Sequence, residues 1–355
     1  MTAEDMVDLL RELVELESPT GETGAMQTRL AAELRALDAD VSLLGEHLCA
    51  DLPGDGPPLL LVGHIDTVWP LGTLERLPFR IEDGRAYGPG SYDMKGGLVV
   101  LLAALHEGRS GRALRIFLTA DEEQGSLTGR ALLEQAAAGV AAAFVVEPPT
   151  PNGNLKTARK GLGRFRLTVR GRAAHAGTGA EKGVSAIDEA ARQVLRLHAL
   201  NDEERGIAVN VGVLRGGTAE NVVAAEAEML IDIRIARAAD MAQLEHSLRG
   251  LRPELDGTRL DVDGGWTRPP LEPTPQSLLL FAKAREHGRR LGLDLGHGSS
   301  GGGSDGNLVG ALGIPVLDGL GATGGGAHAD HEHVVLDSLP VRAQLLSALL
   351  RDPGL

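Results

Sequence analysis

Three short apolar runs, Leu59 to Val62, Leu114 to Thr119 and Ala143 to Val146, each bounded by polar residues or glycine, constrain this chain more than any other feature. Such runs read as strands. Helix-type stretches, Gly97 to His106 and Thr128 to Ala138, lie between them, and Met6 to Leu16 and Met26 to Leu37 carry apolar residues at roughly helical spacing before them. That alternation predicts an α/β fold with a mostly parallel central sheet.

From about Lys160 the texture changes. Arg164 to Val169, Val209 to Val213 and Glu228 to Ile235 alternate like half-exposed strands, and Val184 to Leu200 is helical, which together predict an antiparallel sheet with helices on one face. After a proline-rich linker at Trp266 to Pro275 the pattern returns to a helix, a glycine-rich loop, a buried-type strand at Pro315 to Leu317 and a last helix. With 355 residues, more than the roughly 100 to 200 usual for one domain, two cores are expected. The expected division is a main domain over 1–159 and 267–355, interrupted by an inserted α+β domain over 160–266.

Composition narrows the partners. A formal charge of −14, without any Lys/Arg-rich run, and 3% aromatic residues argue against nucleic acid. No apolar run approaches the roughly 20 residues of a membrane helix. The single cysteine, Cys49, allows no internal disulfide, and the N-terminal stretch is acidic and amphipathic rather than basic and then apolar, so a cytoplasmic location is expected.

Residues able to bind metal follow the predicted strands, at the carboxyl ends where sites assemble in open α/β sheets. His64 and Asp66, two apart after the first run, point the same way in extended chain, one offering an imidazole and the other able to orient it; a strand-end histidine also occurs as a purely structural residue. Asp93 lies in the glycine-rich turn GPGSYD before a helix, where it suits either a bridging carboxylate or a helix N-cap. Glu122 and Glu123 are adjacent, so one carboxylate can bind metal while the other moves protons, although acids at a helix start also serve as dipole partners. Glu147 ends an apolar strand and two prolines follow it. Far downstream, GGGAHADHEHVV offers His328, His331 and His333, of which one ligand is expected. Two histidines, three carboxylates and one carboxylate left as a base suit a pair of zinc or similar ions.

The segments GHIDTVWPLGTLERLPF, AYGPGSYDMKGG, TADEEQGS, VVEPPT, RKGLGRFRLTVRGRAAHAG and GGGAHADHE resemble, in order, the zinc aminoacylase and glutamate carboxypeptidase family, its glutamate carboxypeptidase branch above all. The resemblance implies a hydrolase of an amide bond next to a free carboxylate, either a carboxypeptidase releasing a residue such as glutamate or a deacylase of N-acyl amino acids. It implies that His64, Asp93 and Glu147 hold one zinc and that Asp93, Glu123 and His328 hold the other, with Glu122 as general base, Asp66 orienting His64, and a cis peptide after Asp93. Cobalt or manganese would suit the same ligand types. His331 and His333 are left without a role. The inserted region resembles the family's lid and dimerisation domain, so a homodimer is implied. His175 within it would polarise the scissile carbonyl across the dimer, Asn221 and Arg234 would grip the substrate carboxylate, and Gly302 and Gly303 would line the pocket. Arg268, in the linker, suits either recognition of an acidic group or an exposed charge.

Overall fold

Leu59 to Val62 lie inside a six-stranded sheet ordered Asp40–Leu44, His47–Leu52, Arg112–Thr119, Asp55–His64, Ala142–Val145 and Val316–Leu317. This is a computed structural model, and it describes residues 1–108 and 111–354. The last four strands run parallel, as expected from the buried apolar runs. The first two form an antiparallel hairpin that pairs antiparallel with Arg112–Thr119. No apolar run in the sequence predicts that hairpin. Its outer strand is largely exposed and its inner one carries His47 and Asp51, so neither presents an apolar run.

Register aligns the strand ends. His64 pairs level with Thr119, and Val62 with Val145, so the chain leaves all three strands at one edge of the sheet. The helix Gly96–His106 is buried along its length from Gly96 to Leu105, in keeping with its apolar residues on every side. It packs on the C-terminal helix Ser338–Arg351, and Leu98, Leu101, Leu102, Leu346 and Leu349 join one core with Leu10 and Leu13 of the helix Ala3–Glu15. Each such leucine contributes roughly 1.5–3 kcal/mol. Gly97 has a specific role here: a Cβ on it would lie 1.9 Å from the Val146 carbonyl oxygen, so only glycine lets the helix start lie against the chain that carries Glu147.

The described residues divide into two compact units. One comprises Met1–Ala158, Glu272–Ser300 and Ser304–Leu355, the other Arg159–Leu271 with Gly301–Gly303. In the second, the antiparallel order is Ala208–Gly216, Glu226–Ile235, Gly161–Arg170, Arg259–Arg268. Leu167, Val169, Met229, Ile231 and Ile233 point to a small core closed by Ala190 and Leu197 of one helix and Leu244 and Leu248 of another. Strict burial alternation along Glu226–Ile235 leaves its other face partly open.

One boundary differs from expectation. Trp266 to Arg268 belong to the strand Arg259–Arg268 rather than to a linker, because Trp266 packs edge-on against Phe165 at 5.9 Å. Arg268 is accordingly buried, not an exposed charge.

Candidate metal centre

His64 is the last residue of its strand and is buried with Asp66. Its Nδ1 lies 2.9 Å from the main-chain oxygen of Asp66 and 3.4 Å from that residue's Oδ1. A proton on Nδ1 is thereby directed at the carbonyl, leaving Nε2 to face Asp93 Oδ1 at 3.2 Å and Glu147 Oε1 at 3.6 Å. Asp66 thus orients His64 mainly through its main chain. Its carboxylate accepts from the main-chain N–H groups of Glu122 and Glu123, at 3.1 and 3.2 Å, and from the Thr20 hydroxyl at 2.8 Å. One acid therefore ties the His64 loop to the turn that carries both glutamates.

Asp93 does not cap the following helix. The N-cap position is Lys95, which makes no side-chain cap bond, and Asp93 has extended φ/ψ of −116° and 95° with a cis peptide to Met94. Its carboxylate instead spans two histidines, with Oδ1 toward His64 and Oδ2 at 3.5 Å from His328 Nε2. The same nitrogen lies 3.4 Å from Glu123 Oε2. The Asp93 turn is fixed by Glu332: its Oε1 accepts from the N–H groups of Tyr92 and Asp93, and its Oε2 accepts from the Gly90 N–H and the Trp69 indole. A buried carboxylate with four donors is a rigid platform.

Ligand atoms of His64, Asp93 and Glu123 all lie within 4.8 Å of one another, and so do those of His64, Glu122 and Glu147. Glu122 is therefore close enough to share in binding as well as to move a proton. His331 and His333 belong to neither group. The His333 ring rests 5.3 Å from Tyr87 and its Nδ1 lies 3.0 Å from the His331 carbonyl, at the start of the strand His333–Val335 that directly follows Glu332.

The electrostatics call for positive charge. Burial alone would raise the Asp93 carboxyl, but hydrogen bonds from His328 and His64 override it and hold the group far below the usual carboxylate range. Burial would lower His64, yet Asp66 and Asp93 push it well above its ordinary value. His328, bonded to Asp93 and Glu123, is raised to about 10. Divalent cations would meet the same demand with both imidazoles neutral. A further observation fits that donor set: Glu123 Oε1 is buried with no hydrogen-bond partner, an arrangement costing about 1–3 kcal/mol unless a cation uses the oxygen. His328 has 51% of its side chain exposed, so the cluster is open on one side.

In the second unit, the short strands Ala174–His175 and Val222–Val223 pair, and the Ala176 N–H donates to the Asn221 carbonyl, bringing His175 and Asn221 side by side. His175 Nδ1 accepts from the N–H groups of Gly177 and Thr178 at 3.0 and 3.2 Å, which places the ring proton on Nε2 as a donor. Arg234 donates to Asp232 and to the Gly301 carbonyl, and Arg159 Nη1 holds the carbonyls of Gly302 and Gly303 at 3.3 and 2.9 Å. Thr20, Trp69 and Met94, whose sulfur accepts from the His64 N–H at 3.2 Å, are supports that no spacing in the sequence marked. No helix among the described residues is long and apolar enough to cross a membrane.

The sequence profile of Peptidase family M20/M25/M40 matches residues 60–352. Carboxypeptidase G2 of Pseudomonas sp. (strain RS-16) is 31% identical over 98% of this chain and 89% of its own. Succinyl-diaminopimelate desuccinylase of Thioalkalivibrio sulfidiphilus is 27% identical over 98% of each. A tripeptidase from Staphylococcus aureus shares the fold with a TM-score of 0.86, at 23% identity, over 100% of this chain and 99% of that one.

Proposed function

The chain belongs to Peptidase family M20/M25/M40, and from that premise we propose that this hydrolase is a two-metal carboxypeptidase that releases a C-terminal amino acid, glutamate being the favoured one. The observation that carries the proposal is the convergence of His64, Asp93, Glu122, Glu123, Glu147 and His328, from five separate stretches of the chain, into one cluster with a buried, unpartnered glutamate oxygen. His64, Asp93 and Glu147 would hold one ion and Asp93, Glu123 and His328 the other, with zinc the favoured metal. Bound there, divalent ions supply Lewis acidity that polarises an amide carbonyl and acidifies water.

The remaining work falls to the chain itself. Glu122, its main chain fixed by Asp66, takes the proton of the attacking water and returns it to the leaving nitrogen. His175, with its proton on Nε2, donates to the carbonyl oxygen as negative charge develops there. Arg234 and Asn221 take the free carboxylate, and Gly302 and Gly303 line the pocket. The inserted domain, 160–266, serves as lid and dimer contact, and His175 acts on the partner copy. Similarity to a desuccinylase over the full length favours a second reading, deacylation of N-acyl amino acids, which uses the same groups.

The deciding experiment is hydrolysis of dipeptides ending in Glu, Ala, Leu or Lys, beside N-acetyl and N-succinyl amino acids, by zinc-loaded protein and by Glu122→Gln. Fastest cleavage of Glu-ending peptides, abolished in the variant, supports the carboxypeptidase. Preference for N-acyl amino acids supports the deacylase instead, and activity surviving in Glu122→Gln contradicts the assigned base.

A further inference from the structure

Arg234 is held on three sides by its own unit. Nε donates to Asp232 Oδ1 at 2.7 Å, Nη2 to Asp232 Oδ2 at 3.1 Å, and Nη1 to the Gly301 carbonyl at 3.2 Å. A guanidinium has five N–H donors. Three are used, and one is left on each terminal nitrogen, Nη1 and Nη2, the two atoms whose shared edge can meet both oxygens of a carboxylate. Asp232 and Arg234 stand two apart on the strand Glu226–Ile235, on the face turned away from the core, so their side chains are neighbours by strand geometry. The third anchor is fixed in turn, since Gly302 and Gly303, next along the loop, are gripped by the buried Arg159.

We propose that Asp232 is a positioning residue: by taking the inner edge of the Arg234 guanidinium, it presents the outer edge, in a set plane, to the carboxylate of the substrate. This rests on the assignment of Arg234 as the group that takes that carboxylate. Partial exposure of both side chains, 31% for Arg234 and 37% for Asp232, suits the role, because a sealed pair would reach no ligand. It also defines the alternative. A solvated surface ion pair contributes little to stability and would leave substrate affinity unchanged when broken.

Four proteins separate these outcomes: wild type, Asp232→Asn, Arg234→Ala and the double variant. KM and kcat are measured with the free-acid substrate that the panel cleaves fastest, and folding is checked by thermal melting. Loss of one charge-assisted fork predicts that Asp232→Asn raises KM about tenfold with kcat within about twofold, and that it adds nothing once Arg234 is alanine. Asp232→Glu, which keeps the charge but overshoots the fork, is expected to raise KM less; it carries the comparison should Asp232→Asn melt early. KM unchanged in Asp232→Asn and Asp232→Glu, but raised in Arg234→Ala, overturns the positioning role and leaves Arg234 in place. KM unchanged in Arg234→Ala overturns the assignment of Arg234 itself and the positioning role with it.

Discussion

The two units hold their polar residues differently. In the first, the groups of the cluster other than His328 are buried or half-buried, and they are held from several directions: Glu332 takes four donors, Asp66 takes three, and Asp93 faces two histidines. In the second, His175 and Asn221 are exposed on short strands and turns, and Arg234 is about a third exposed. On the proposed assignment, the groups that would bind cations and move protons are fixed before a substrate arrives, whereas those that would recognise it remain accessible. A rigid cluster should fail as a whole, and an accessible recognition surface should fail one contact at a time.

The largest effect should come from Asp93→Ala. Because this carboxylate faces both histidines, its loss should remove both metals and lower kcat/KM on the order of a thousandfold or more, as metal analysis and steady-state kinetics would show. Retention of one metal with substantial activity would break the idea of a single interlocked cluster. Next is His175→Ala, for which loss of one carbonyl donor predicts a fall in kcat of about a hundredfold with metal content and melting temperature unchanged. A drop in metal content would show that the two sets of residues are not separable.

Glu332→Gln keeps the shape of the platform but replaces one acceptor oxygen by a donor. It should weaken metal affinity about 10- to 100-fold, read by competition with a chelating dye, and lower the melting temperature by several degrees. The smallest expected effect is on pH dependence. In metal-free protein His328, raised to about 10, stabilises the fold fully below its unfolded value of about 6.5, and that contribution is lost as pH rises through about 10. His64 acts in the same direction. Denaturation midpoints measured against pH should therefore fall over that range without zinc, and zinc should flatten the trend.

The sequence made the sheet and most of the cluster legible because parallel strands write themselves as apolar runs and the residues proposed as ligands lie at or just beyond their ends. Leu59 to Val62 marked the strand, and His64 and Asp66 followed at its end. What stayed hidden was pairing without an apolar signature: the hairpin Asp40–Leu44 with His47–Leu52, and the end of the strand at Trp266 to Arg268, masked by the prolines that follow. The support of the cluster was also hidden. Glu332 reaches Gly90, Tyr92 and Asp93 across some 240 residues of sequence, and no local pattern encodes such a contact. Asp232 and Arg234 lie two apart, a spacing that puts them on one strand face, but only geometry shows which donors the pair leaves open.

The proposed site requires two divalent ions that share Asp93, and calorimetric titration of metal-free protein with zinc counts them. Two equivalents per chain in the wild type, one in Glu147→Ala and none in Asp93→Ala are predicted; a single equivalent in the wild type, or two in Asp93→Ala, would contradict it.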